Sequence, residues 1–270
     1  MKATPLIAIA LATFTFAGVA HAGPGPISPL YLTYYGSSNI VVVQGNSVIQ
    51  TFPEAYSPGN ELPIAVWGDV RTTGYSPSHS TGGQYTLGGA PTGTSYALPS
   101  VISGGGAYDS TSDGSHNYLV DYYFGGVYQT ARDFTNPVAL FNAGANNVGI
   151  TYDAANNSLW ISGYGSSTTV ADYSLNGALL SSFSTGQLYN SALALDPADQ
   201  TLWLVNGLNG NLEQYSQAGV LLSVGPNVGF PYGGEFNLEP ATTTPEPGTL
   251  VMFGSGILGL AGVLRRKINL

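Results

Sequence analysis

Residues 148–162 read VGITYDAANNSLWIS and residues 191–205 read SALALDPADQTLWLV. Asp153 and Asp196 are 43 apart, and so are Trp160 and Trp203. Each copy alternates apolar and polar residues on both sides of an Asp-led turn, the pattern of two strands joined by a hairpin. A further match follows, VADYSLNGALL at 170–180 against LEQYSQAGVLL at 212–222, each with a Gly in the middle for the next turn. Three to four strands per 43 residues is the size of one propeller blade.

The period extends both ways. One step beyond Asp196 lies Glu239, where Leu238-Glu239-Pro240 repeats Leu195-Asp196-Pro197. Stepping back, Tyr118 falls in phase with Trp160, with residues 105–109 as the strand before it, and Leu62 to Trp67 reads as a first strand one unit earlier. Segments 72–83 and 110–116 read as loops. The first unit has second and third strands at Leu30–Tyr34 and Asn39–Gln44 but no first strand, while the last unit is a first strand only. The fold expected is therefore all-β, a five-bladed β-propeller in which the C-terminal strand completes the N-terminal blade and removes the free sheet edges. Its competitors are a six-bladed ring, and a sandwich or solenoid with two duplicated hairpins.

Both ends read as targeting segments. Met1-Lys2, an apolar stretch from Leu6 to Val19 and Ala20-His21-Ala22 before Gly23 form a secretory signal peptide, 1–22, cut between Ala22 and Gly23. At the other end a linker, 241–247, carries Pro245-Glu246-Pro247. An uncharged apolar run follows at 248–264, and Arg265-Arg266-Lys267 opens a basic tail, 265–270. Seventeen helical residues span only about 25 Å, a short transmembrane helix whose basic flank stays cytoplasmic. Residues 242–270 resemble the PEP-CTERM sorting signal of Gram-negative bacteria. The resemblance implies signal peptidase and exosortase as processing partners and a transient inner-membrane anchor. It also implies a final place at the cell surface, outer membrane or extracellular matrix, with a link to exopolysaccharide and biofilm. It gives an address and leaves the activity of the 23–240 body open.

That body holds Arg71 and Arg132 against fourteen carboxylates, a net charge near −12. Nucleic acid is excluded as a partner, since phosphate binding depends on clustered Lys and Arg. The chain has no cysteine, so thiol chemistry and disulfides are absent and the fold rests on core packing.

Candidate sites are few. Asp109, Asp153, Asp196 and Glu239 recur at the repeat period, and a ring of them at a channel mouth could hold Ca2+, a cation that prefers hard oxygen ligands; Asp alone, however, nucleates turns. Asp113 joins Asp109 and His116 in the densest polar segment, without the spacing of a known cation loop. No nucleophile elbow, zinc-protease or phosphate-loop motif accompanies His79 or His116, and no catalytic residue is assigned. Tyrosine is abundant, and an aromatic ring with a polar tip stacks on sugars without needing charge. Tyr34, Tyr35, Tyr122 and Tyr123, with Tyr31, fall outside the repeat-phase strand positions and are the binding candidates.

The functional expectation is an exported, non-catalytic recognition or scaffolding propeller that requires no cofactor. The rivals are a propeller hydrolase or lyase acting on matrix polysaccharide, with Asp109, Asp113 or Asp153 as acid and base, and a structural coat protein.

Overall fold

The computed structural model describes residues 25–102 and 106–240. Among these residues every regular element is a strand, and twenty strands form five antiparallel sheets of four. Blade I contains β1 (Leu30–Thr33), β2 (Asn39–Gln44) and β3 (Ser47–Pro53). Blade II comprises β4 (Glu61–Val66), β5 (Val70–Gly74), β6 (Thr81–Tyr85) and β7 (Pro91–Ala97). Blade III comprises β8 (Ser110–Ser112), β9 (His116–Val120), β10 (Gly126–Ala131) and β11 (Val138–Asn142). In blade IV are β12 (Asn147–Asp153), β13 (Ser158–Gly163), β14 (Thr169–Ser174) and β15 (Leu179–Ser184). Blade V has β16 (Asn190–Asp196), β17 (Thr201–Asn206), β18 (Asn211–Tyr215) and β19 (Leu221–Asn227). The last strand, β20 (Gly233–Phe236), returns to blade I as its innermost strand, Leu30 pairing with Phe236 and Thr33 with Gly233.

The chain is thus a five-bladed β-propeller closed by its C-terminal strand. The innermost strands β20, β4, β8, β12 and β16 pack in a circle, each against the next. Their side chains are buried on both faces of each sheet, as neighbouring blades require; β4 and β16 are buried along their whole length. Trp160 and Trp203 pair across their sheets with Thr151 and Ala194 and are sealed between blades. Stitches between blades use the same level: Tyr152 N–H donates to Thr111 Oγ1 at 2.9 Å, and Leu195 N–H donates to Thr151 Oγ1 at 3.1 Å.

Closure is doubled by the segment before β1. Asp196, at the hairpin of the last complete blade, accepts the Ile27 and Ser28 N–H groups at 2.9 and 3.1 Å and the Ser28 hydroxyl at 2.6 Å. Pro26 O in turn accepts Gly45 N–H from the β2–β3 turn at 2.8 Å. The β20 sequence itself is dictated by crowding. A Cβ on Gly233 would lie 2.2 Å from Leu62 O, so only glycine fits where the closing strand enters the ring.

The repeat phase slips in the outer units. The strand opening blade III is Ser110–Ser112, not residues 105–109, and the segments 72–83 and 110–116 expected as loops supply parts of β5, β6 and β8. Glu239 is not the counterpart of Asp196: β20 ends at Phe236, Glu239 is exposed beyond it, and the carboxylate of the closing strand is Glu235. The expected signal peptide 1–22, Pro-Glu-Pro linker, helix 248–264 and basic tail lie outside the described residues.

Candidate functional site

Antiparallel blades give the disc two unlike faces. On one, each innermost strand ends and turns by a hairpin into the second strand; on the other, second strands end and innermost strands begin. We call them the hairpin face and the entry face.

Every described charged residue of the propeller with appreciable exposure lies on the hairpin face or its rim: Asp69, Arg71, Asp113, Arg132, Asp133 and Asp199. Both body cations are committed there. Asp69 accepts Arg71 Nε at 2.8 Å and Arg132 Nη2 at 2.6 Å, while Arg132 also donates to Ser112 Oγ, Asn117 Oδ1 and Trp67 O. This clamp joins blades II and III and leaves no free cationic patch for an acidic polymer.

The entry face carries no exposed Asp, Glu, Lys or Arg among the described residues. It carries tyrosines instead. Soon after each second strand comes Tyr34-Tyr35 in blade I, Tyr75 in blade II, Tyr122-Tyr123 in blade III and Tyr164 in blade IV; blade V has Gly207. Immediately before innermost strands come Tyr108, Tyr189 and Tyr232. These two loop classes converge. Tyr35 meets Tyr75 edge-on at 5.4 Å, Tyr75 stacks on Tyr108 at 5.8 Å, and Tyr108 contacts Tyr122 at 5.4 Å and Tyr232 at 5.3 Å. Tyr164 continues the series to Tyr122, Tyr189 and Tyr232 at 6.3, 5.2 and 5.8 Å. His79 stacks on Tyr75 at 5.5 Å. Exposed members are Tyr35 at 60% and Tyr123 at 54%, beside Phe124, Leu208 and Phe230. Burial, then the neighbouring phenols Tyr123 and Tyr232, push Tyr108 up to about 12, and burial raises Tyr75, Tyr122 and Tyr164 too. The surface is therefore an uncharged aromatic platform whose hydroxyls both donate and accept.

Tyr35, Tyr122 and Tyr123 belong to this platform, and Tyr34 stands behind it with its hydroxyl donating to Val228 O at 2.9 Å. Contrary to the expectation from sequence, they occupy a recurring blade position. Tyr31 is buried in the blade I–II core.

The carboxylates do not form a ring. Asp153 and Asp196 each accept the N–H two residues ahead, from Ala155 at 2.8 Å and Ala198 at 2.9 Å, which is the turn-forming role. The hairpin position of blade III is taken by Asp113, not Asp109. Burial opposes ionisation of Asp113, but the Tyr118 hydroxyl at 2.7 Å and the N–H groups of His116 and Ser115 outweigh it and hold its carboxyl below the usual range. Asp109 sits on the axis with 0% exposure, accepting N–H groups from Ser110, Ile150 and Gly234 at 2.9, 3.3 and 3.0 Å. Glu235, equally sealed, accepts the Thr151 hydroxyl at 3.0 Å. Burial raises both well above the usual carboxylate range, and their mutual repulsion raises Asp109 further. Among the described residues no three His, Asp or Glu lie together as metal ligands.

A closed five-bladed β-propeller with one neutral aromatic face is the class these features define. Its C-terminal address is equally specific: residues 243–267 match the PEP-CTERM protein-sorting motif, so the chain carries the signal of an exported, exosortase-sorted protein destined for the cell surface or beyond. No curated protein sequence matches the chain. A chain from a crystal structure of the nidogen–laminin complex is similar in fold, with a TM-score of 0.54 and 13% identity over 78% of this chain and 98% of that one. A protein of unknown function from Bacteroides thetaiotaomicron VPI-5482 is similar at TM-score 0.52 and 16% identity, over 78% of this chain and 65% of that one. At such identities the likeness concerns the fold alone.

Proposed function

We propose that this protein is a surface-displayed recognition module whose tyrosine face binds uncharged glycan in the exopolymer around the cell. The observation that carries the reading is the segregation of groups: among the described residues of the propeller the exposed charge lies on the hairpin face or its rim and the tyrosine platform on the other face. Aromatic rings stack on the C–H faces of sugars while the phenol tips bond hydroxyls, and neither interaction needs a cation. The closing strand β20 ends on the hairpin face, opposite the tyrosines. Signal-peptide removal, brief anchoring by the 248–264 helix and exosortase release of the tail complete the route.

Titration of the exported protein against the host's purified exopolymer tests this. Binding that persists in chelator and changes little with salt supports it. Binding abolished by chelator indicates Ca2+ bridging to an acidic polymer, and release of reducing sugar indicates a hydrolase; either contradicts it.

One observation favours the coat reading. The outermost strands expose aliphatics near their hairpin ends, including Val48, Ile49, Val138, Leu179 and Leu221, on unpaired sheet edges that invite contact between copies. Concentration-dependent sedimentation without polymer binding would favour that role.

A further inference from the structure

The tyrosine platform has a gap at blade V. Gly207 stands where blades II, III and IV place Tyr75, Tyr122 and Tyr164, and a Cβ there would lie 2.6 Å from both Tyr189 Cβ and Tyr189 O. No side chain can grow from this position without moving its neighbour's backbone. A pocket of about 270 Å³ opens beside it, lined by Tyr164, Ser191, Gly207, Phe230, Pro231 and Tyr232. Two of its walls are phenol rings with centroids 5.8 Å apart and planes inclined by 42°, and Phe230, 58% exposed, forms the outer lip.

The polar atoms are arranged to leave hydrogen-bonding capacity free. Tyr164 donates its hydroxyl proton to Tyr232 Oη at 3.3 Å, so the Tyr232 proton and the Tyr164 lone pairs remain for a ligand. Ser191 is turned away, its hydroxyl donating to Pro231 O at 2.7 Å, which fixes the loop that carries Phe230. No charged side chain lines the pocket.

We propose that this pocket is a subsite for one uncharged pyranose ring, the unit at which the tyrosine face grips its glycan. The proposal rests on the recognition reading given above and deepens it. The volume lies just under the roughly 300–1,000 Å³ of pockets for drug-sized ligands, which suits a single ring. A sugar presents alternating C–H surface and hydroxyls, matching aromatic walls with one free donor and one set of acceptors. A carboxylate or phosphate would find no cation, and an alkyl chain would leave the phenol pair unsatisfied.

Saturation-transfer NMR with the methyl glycosides of glucose, galactose and mannose tests it on the exported protein. At least one glycoside is expected to receive saturation through its ring C–H protons. Phe230→Ala, a change at an exposed lip, should weaken that glycoside roughly tenfold. Tyr232→Phe, which removes only a hydroxyl, should weaken it about three- to tenfold, while Tyr152→Phe, at the hairpin end of β12, should leave it unchanged. Saturation undiminished in both pocket variants overturns the assignment, because the sugar is then bound elsewhere. If the exopolymer binds the wild-type protein but no glycoside is saturated, the subsite fails and the wider face stands; if the polymer does not bind either, both fail.

Discussion

The Gly234 amide in the closing strand donates to the carboxyl of Asp109 at 3.0 Å across a sequence separation of 125 residues. This bond joins the C-terminal strand to the opening of blade III through the ring's centre. The neighbouring residue, Glu235, brings a second sealed carboxyl to the same axis. The closing strand therefore does more than complete a sheet edge: it fills the axis.

Removing it should collapse the ring. A chain ending at Pro231 loses β20, exposes the free edge of β1 and leaves Asp109 without the Gly234 donor. It is expected to aggregate or to lose the cooperative transition in calorimetry, whereas a chain ending at Ala241 should melt like the full body. Gly233→Ala should destabilise by about 1–3 kcal/mol, the usual cost of overpacking, read as a lower denaturation midpoint. A soluble, normally melting chain ending at Pro231 would show that β20 closes nothing.

Stability should decline as the medium becomes alkaline. Burial, and then the adjacent Glu61, push Glu54 from 4.5 up to about 8. Below 4.5 both folded and unfolded states hold this proton; between the two values only the folded state does, so its contribution is lost as pH rises towards 8, at up to roughly 1.4 kcal/mol per unit. Asp109 and Glu235 act in the same direction. Asp113 and Asp133, held low, contribute in the opposite sense and lose their contribution only in stronger acid. Melting temperature measured from pH 4 to 9 should peak in mild acid. Glu54→Gln should flatten the descent, and a curve rising from pH 5 to 9 would contradict these assignments.

Processing provides a test of the address. Intact-mass analysis of the protein exported by a host with an exosortase should show loss of residues 1–22 and of the tail from Arg265 to Leu270. A mature surface form retaining the complete tail would contradict exosortase processing.

The strands of blades IV and V were legible because their hairpins have equal length: seven residues separate Asp153 from Trp160 and Asp196 from Trp203. Ring closure was legible from the missing first strand of blade I. Phase failed in blade III because its hairpin is shorter, with five residues from Asp113 to Tyr118, so a fixed step landed beside Asp109 and short of Asp113. The axial pair was hidden for a different reason, since Asp109 and Glu235 come from different blades. The tyrosine platform was only half visible. Tyr34, Tyr35, Tyr122 and Tyr123 stood out as clusters, but Tyr75, Tyr108, Tyr164, Tyr189 and Tyr232 meet them from two kinds of loop, and only the closed ring brings those loops together. A count of tyrosines shortly after second strands would have found the recurrence.

The central claim is that the entry face does the binding, and tyrosine footprinting tests it most directly. Nitration with tetranitromethane, followed by peptide mass mapping, reads the accessibility of Tyr35 and Tyr123, the two most exposed phenols of that face. With saturating exopolymer both should be protected several-fold, while Tyr152 and Tyr173, which lie near the hairpin ends of β12 and β14, keep their reactivity. Equal nitration of Tyr35 and Tyr123 with and without bound polymer would contradict the account.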